Sequence, residues 1–211
     1  MTTDPAKTTF YRIRDARWER KDTFPWAMSF GPLEDMPFLL PGDFERIKPV
    51  WEAHSRKPGL YVEGGSKWPD LLGYGGGYPP FFVSERVLES LNAAHIEIAR
   101  ATEMPIADIQ SRSKKLKGQP IRYFALEAPY GIETDYEASG VPVNASGRPI
   151  TPLPKSVVWT LKVSSWSGAD LVSAPNMWKR PTCSLICTEK VVELAKHDGW
   201  TNCFFKPMPA V

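Results

Sequence analysis

Two stretches decide the fold: Trp68-Pro-Asp70-Leu71-Leu72 followed by Phe81-Phe-Val-Ser84-Glu85-Arg86-Val87-Leu88-Glu89, and Trp166-Ser-Gly-Ala-Asp170-Leu171-Val172 followed by Leu185-Ile-Cys-Thr188-Glu189-Lys190-Val191-Val192-Glu193. Each reads tryptophan, Asp-Leu-aliphatic, a connection, an apolar run, then Ser/Thr-Glu-Arg/Lys-Val-aliphatic-Glu. Each closes on Met-Pro, at Met104-Pro105 and Met208-Pro209, and the helix-start motifs stand 104 positions apart at Ser84 and Thr188. Self-similarity of this length makes the repeated unit the first thing to explain. The apolar runs before Ser84 and Thr188 are short and β-prone, so they read as buried strands. Ser84 and Thr188 suit a helix N-cap, where a hydroxyl accepts from an orphan amide. Glu85 and Glu189 then fall in the first turn, where the helix dipole favours an anion. Val87, Leu88 and Leu91, and again Val191, Val192 and Ala195, make an apolar stripe, and Gly199 suits the stop of the second helix. Strand-like segments follow at Ile96-Glu-Ile98-Ala and Asn202-Cys-Phe-Phe205.

The expectation is an α+β fold in a single domain, 1–211, with two pseudo-repeated strand-helix-strand units and an inserted β-rich middle segment. Residues 1–66 form an N-terminal irregular and β region that includes a strand at Phe10-Tyr11-Arg-Ile13. Repeat A covers 67–106, the insert 107–165 and repeat B 166–211. Within the insert, Ile121-Arg-Tyr123-Phe-Ala-Leu126 reads as a strand. Ser156–Val163 alternates, with Val157, Trp159, Leu161 and Val163 on one face. Asp70, Ser84, Glu85 and Arg86, with their counterparts Asp170, Thr188, Glu189 and Lys190, are read as architectural, because each has a folding role.

Composition narrows the function. A net charge of +2 gives no global field that calls for nucleic acid or a membrane surface. No apolar run approaches membrane-span length and no signal-peptide core opens the chain, so a cytoplasmic protein is expected. Three cysteines are too few and odd in number for a disulfide framework. Cys183, Cys187, His197 and Cys203 carry zinc-ligand chemistry, but Cys183, Leu185 and Cys187 share one strand face, where a cysteine acts as a small hydrophobe. The glycine-rich Gly73-Tyr-Gly75-Gly76-Gly77 precedes a strand, whereas a phosphate loop follows one. No catalytic residues, metal or cofactor are therefore expected.

Charge is segregated in the insert. Arg112, Lys114, Lys115 and Lys117 make a basic stretch, and Glu127, Glu133, Asp135 and Glu137 an acidic one. Together they are candidates for a bipolar, partner-binding surface, read against the plainer view of solvated loops.

The segments Pro69-Asp70-Leu71-Leu72 and Phe82-Val83-Ser84-Glu85-Arg86-Val87 resemble a family of bacterial immunity proteins from polymorphic toxin systems, first described as a domain of unknown function. Its members carry a Pro-Asp-Leu/Phe-Leu segment and an aliphatic-Val-Ser-Glu-Arg segment. Asp170-Leu171-Val172, Thr188-Glu189-Lys190 and Phe204-Phe205 correspond to the family's C-terminal end, with Val172 in place of an aromatic and Thr188 in place of serine. The resemblance covers residues 60 to 211. It implies a non-enzymatic protein whose partner is a cognate toxin, neutralised by stoichiometric binding. The alternative is a small enzyme with its site in the aromatic-rich region 18–78.

Overall fold

The computed structural model of the chain describes residues 8–15, 26–30, 59–74, 81–110, 112–118, 121–147, 149–150, 152–174 and 184–211. The strands are β1 (Phe10–Asp15), β2 (Trp26–Phe30), β3 (Gly59–Glu63), β4 (Leu71–Tyr74), β5 (Phe81–Ser84), β6 (Arg100–Met104), β7 (Ile106–Ile109), β8 (Tyr123–Glu127), β9 (Glu133–Asp135), β10 (Thr160–Lys162), β11 (Leu171–Ala174), β12 (Ser184–Thr188) and β13 (Cys203–Met208). Helix α1 (Glu85–Ala93) follows β5, α2 (Lys114–Gly118) precedes β8, and α3 (Glu189–His197) follows β12. The fold is α+β.

Seven strands form one sheet in the order β6-β8-β5-β4-β2-β3-β7, four form a second in the order β11-β12-β1-β13, and β9 pairs with β10. Around each motif copy the pairing is alike. In β4-β5-β8-β6 and in β11-β12-β1-β13 every neighbouring pair is antiparallel. Leu71 stands opposite Val83 as Leu171 stands opposite Cys187, and Ser84 opposite Tyr123 as Thr188 stands opposite Phe10.

The period-2 alternation of the strands divides the core into three clusters. Leu71, Val83, Phe124 and Leu126 from the larger sheet share one cluster with Ile13, Leu171, Leu185 and Cys187 from the smaller one, joined by Val87 and Leu91 of α1 and Val191 and Val192 of α3. The opposite face of the larger sheet buries Leu60, Leu72, Phe82 and Tyr123 under Trp68. The opposite face of the smaller sheet buries Phe10, Val172 and Ile186 under Trp166. Trp68 tilts against Tyr123, with ring centroids 5.8 Å apart, and Trp166 meets Phe10 edge-on at 5.2 Å. Each tryptophan anchors its indole N–H on a backbone carbonyl, Leu116 and Ala169 respectively.

The helices begin and end as the sequence leads one to expect, with one difference at Thr188. Ser84 caps α1, its hydroxyl accepting from the Val87 amide. Thr188 occupies the same position before α3 but makes no side-chain cap bond, and its hydroxyl donates to Asp170 instead. Both C-termini close with the same pair of bonds. Ile96 N–H reaches Leu91 C=O and Trp200 N–H reaches Ala195 C=O, while His95 N–H bonds Asn92 C=O and Gly199 N–H bonds Lys196 C=O. The pivot residues have positive φ, 55° at His95 and 63° at Gly199. Glycine adopts that conformation freely and histidine does so at a cost.

Several expected strands shift. The strand after α1 lies at Arg100–Met104, past Ile96 and Ile98, because the closing turn uses Ile96 as its apolar latch. The alternating run 156–163 keeps only Thr160–Lys162 as strand, and Val158 is 57% exposed. The stretch 107–165 supplies β8 to the interior of the seven-stranded sheet and most of β7 to its edge, and among its described residues β9 and β10 form a separate two-stranded sheet. Alternation identifies a strand and its faces, but not the sheet that receives it.

Candidate functional site

Asp70 is the most heavily bonded side chain near the motifs. It sits just before β4, almost fully buried, and both oxygens are used. Oδ1 accepts from Ser84 Oγ at 3.0 Å and Arg86 Nε at 3.1 Å. Oδ2 accepts from Arg86 Nη2 at 2.5 Å, and from the Thr201 amide and hydroxyl at 2.8 Å each. Arg86 also donates to the carbonyls of Asp198 and Gly199, so it spans from α1 to the end of α3. Burial pushes the Asp70 carboxyl up, but the bonds from Arg86, Thr201 and Ser84 outweigh it and hold the carboxyl below its ordinary value. Asn202 adds a bond from Nδ2 to the Leu71 carbonyl.

Asp170 repeats a smaller version. Thr188 Oγ1 donates to its Oδ1 at 2.8 Å and Lys190 Nζ to its Oδ2 at 2.9 Å. In both copies the aspartate carbonyl also receives the backbone N–H of the capping residue, Ser84 at 2.8 Å and Thr188 at 2.9 Å. Both clusters tie a strand start to a helix start, and at Asp70 the Oδ2 also binds Thr201 beyond the end of α3. Glu85 and Glu103 share Arg122, which is bidentate on Glu103 at 2.9 and 2.6 Å and lies over the Phe124 ring. Glu189 is exposed in the first turn of α3. Thr201 and Asn202 escaped sequence reasoning, since their partners Asp70 and Leu71 lie 131 positions away and no local pattern reports them.

A serine, an aspartate and a histidine do converge at the end of α3. Ser90 Oγ donates to Asp198 Oδ2, and His197 Nδ1 lies 2.7 Å from Asp198 Oδ1. The aspartate stands between the other two, so the serine hydroxyl bonds the carboxylate and not the imidazole, and the order is wrong for a Ser-His-Asp triad.

Cys187 is buried in the central core, its thiol pushed well up by burial, with Cys203 and Asp170 adding to the effect. Burial likewise lifts Cys203 to about 12, helped by the Asp70 charge. His197 is largely exposed on the α3 surface, and Cys183 lies outside the described residues. Of the aromatic-rich region 18–78, only 26–30 and 59–74 fall among them.

The charged stretches separate. Lys114, Lys115 and Lys117 are exposed on α2, beside Arg112, with Leu116 buried below. That helix touches Trp68 on the outward side of the seven-stranded sheet. Glu133 and Asp135 lie on β9, whose partner β10 packs through Leu161 into the outward cluster of the four-stranded sheet. Glu133 and Asp135 thus lie on the small β9-β10 sheet, whereas Glu127 ends β8 in the seven-stranded sheet that α2 covers. Within the acidic stretch the members also differ. Glu127 ends β8 half-buried, with Oε1 out of solvent and no partner among the described residues. Asp135 Oδ1 accepts from the Ala138 amide and so holds a turn. Glu133 and Glu137 remain exposed. The same segment exposes Val143, Ile150 and Val158 at 45%, 48% and 57%, on a backbone tied by Ile150 N–H to Pro142 C=O and Val158 N–H to Ser139 C=O.

Among the described residues no helix is long and apolar enough to cross a membrane. No protein-family model matches the chain, and no curated protein matches it.

Proposed function

We propose that the chain is an immunity protein that binds a cognate bacterial toxin in the cytoplasm and neutralises it stoichiometrically, without catalysis. The reading rests on the two motif copies that resemble immunity proteins of polymorphic toxin systems. It takes the fold as two pseudo-repeated strand-helix-strand units, which the matched helix stops, registers and aspartate clusters support. The observation that carries a binding role is the segment 133–158. Exposed Glu133 and Glu137 stand on a backbone held by its own hydrogen bonds, together with three exposed aliphatic side chains. A rigidly presented surface loses less entropy on binding than a mobile one, and acidic groups at its rim steer a partner of opposite local charge.

The test is growth of cells expressing the toxin domain encoded beside this gene, with and without the chain. Rescue together with a one-to-one complex supports the proposal. Continued killing with no complex overturns it. Glu133→Lys with Glu137→Lys is expected to slow association at least tenfold while leaving thermal stability nearly unchanged. An unchanged on-rate moves the interface elsewhere.

A further inference from the structure

We infer that the chain is a head-to-tail duplication whose two halves have exchanged their first strands. The first half runs through β1 to β7 and the second from β8 to the C-terminus. After the exchange each half lacks its own first strand and holds the other's. Strand β1 lies between β12 and β13 of the second half, and β8 between β5 and β6 of the first.

The correspondence extends well beyond the helix-start motif. Met104 stands opposite Tyr123 as Met208 stands opposite Phe10. Leu60 pairs in parallel with Ile106, and Leu161 with Ala210, again 104 positions on from Ile106. In both places the leucine amide bonds the carbonyl of the proline in Met-Pro, at 2.7 Å to Pro105 and 2.8 Å to Pro209. β2 runs parallel to β4 through Trp26 and Gly73, and the bridge from Tyr130 to Ser173 is parallel as well. β2 then pairs antiparallel with β3 as β9 does with β10. The order of elements in each half is thus first strand, second strand, a strand joined to the Met-Pro tail, then the Asp-Leu strand, the capping strand, the helix and the final strand. Only the first strand of each half leaves its own set. Exchange of an identical element between two copies is a low-cost way to interlock them, because each slot accepts either strand.

The exchanged and unexchanged folds predict different neighbours for four residues. In the exchanged fold Arg14 faces Phe204 and Glu127 faces Arg100. If each half kept its own first strand, Arg14 would face Arg100 and Glu127 would face Phe204. The experiment places paired cysteines in the full chain, in a Cys183→Ser, Cys203→Ser background, with a protease site inserted after Gly118, where the surroundings are open. After oxidation, cleavage and denaturation, Arg14→Cys/Phe204→Cys and Arg100→Cys/Glu127→Cys are each expected to run at full mass and to split into two fragments only on reduction. Arg14→Cys/Arg100→Cys is expected to leave the fragments separable without reductant. The reverse pattern, with an internal disulfide from 14 to 100 and no link between fragments in the first two variants, overturns the exchange. Far-UV circular dichroism of each variant before cleavage confirms that it has folded.

Discussion

Asp70→Asn gives the sharpest test of what the aspartate clusters do. The change keeps shape and removes charge, and either orientation of the amide turns an NH2 toward donors. On one side stand Ser84 Oγ and Arg86 Nε, and on the other Arg86 Nη2 with the Thr201 amide and hydroxyl. Arg86 has a half-exposed side chain and can return to water, so its pair contributes under about 1 kcal/mol. The remaining donors cannot all do so, since Ser84 is buried, and a stranded buried polar group costs about 1–3 kcal/mol. Their sum, reduced because they share one carboxylate, is about 3 kcal/mol. At Asp170 the Thr188 hydroxyl can still find the amide oxygen and the half-exposed Lys190 swings into solvent, so Asp170→Asn costs under about 1 kcal/mol. Urea unfolding at pH 7 reads both, and a slope of about 2 kcal/mol/M turns the Asp70 loss into a midpoint shift of about 1.5 M. The Asp70 carboxyl titrates lower in the fold than in the unfolded chain. Its contribution is therefore complete above the unfolded value near 4 and fades as pH falls through the folded value. The gap between wild type and Asp70→Asn is expected to close on acidification. Equal losses at Asp70 and Asp170, or a gap indifferent to acid, would refute the reasoning.

Three further outcomes are expected. Gly131→Ala drives a methyl into the Val172 side chain and Ser167 Oγ, where Gly131 also exchanges backbone bonds with Ser173 and Ser167, so thermal unfolding is expected to show a loss of about 2 kcal/mol. His95→Gly relieves an exposed residue of positive φ at the end of α1 and is expected to stabilise by about 0.5–1 kcal/mol in the same assay. Cys187 and Cys203 are held neutral in the fold, and a thiol reagent at pH 8 is expected to modify the buried Cys187 mainly on unfolding. The stability they favour is present below their unfolded value and lost as pH rises above about 9 toward the folded one. Rapid native labelling at Cys187 contradicts that placement.

The sequence makes the helices and their caps legible because that information is local. A hydroxyl before an acidic first turn, a stripe of Val and Leu, and Gly199 at the stop all act within a few residues of where they stand. What escaped is non-local. Thr201 and Asn202 close the Asp70 cluster from the far end of the chain. Thr188 has the composition of a cap and donates to Asp170 without accepting from a helix amide, whereas Ser84 donates to Asp70 and caps α1 as well. The acidic stretch looks uniform in sequence, and only the fold separates exposed Glu133 and Glu137 from half-buried Glu127 and turn-bound Asp135.

The placement of β1 and β8 shows why local reading stops there. Phe10-Tyr-Arg-Ile13 and Tyr123-Phe-Ala-Leu126 carry the same order of two aromatics, a variable residue and an aliphatic. Either would point one aromatic at a tryptophan and the aliphatic at the central core. Each slot presents a capping hydroxyl residue on one side and a methionine on the other, Ser84 with Met104 or Thr188 with Met208. Apart from the Tyr123 hydroxyl, which donates to the buried Pro69 carbonyl and has no counterpart in Phe10, local propensity and burial differ little between the two strands. The choice falls to individual cross-strand pairs, which contribute only about 0.2–1 kcal/mol each. The observed arrangement sets Glu127 opposite Arg100, where the other would set Arg14 there and oppose two positive charges. It also sets Arg12 opposite Lys206, a like-charge pair that the other arrangement avoids. Side-chain pairing thus pulls both ways and leaves the exchange finely balanced. What it cannot alter is that, with β1 and β8 where they lie, each sheet depends on a strand from the other half, so neither half can complete its core alone.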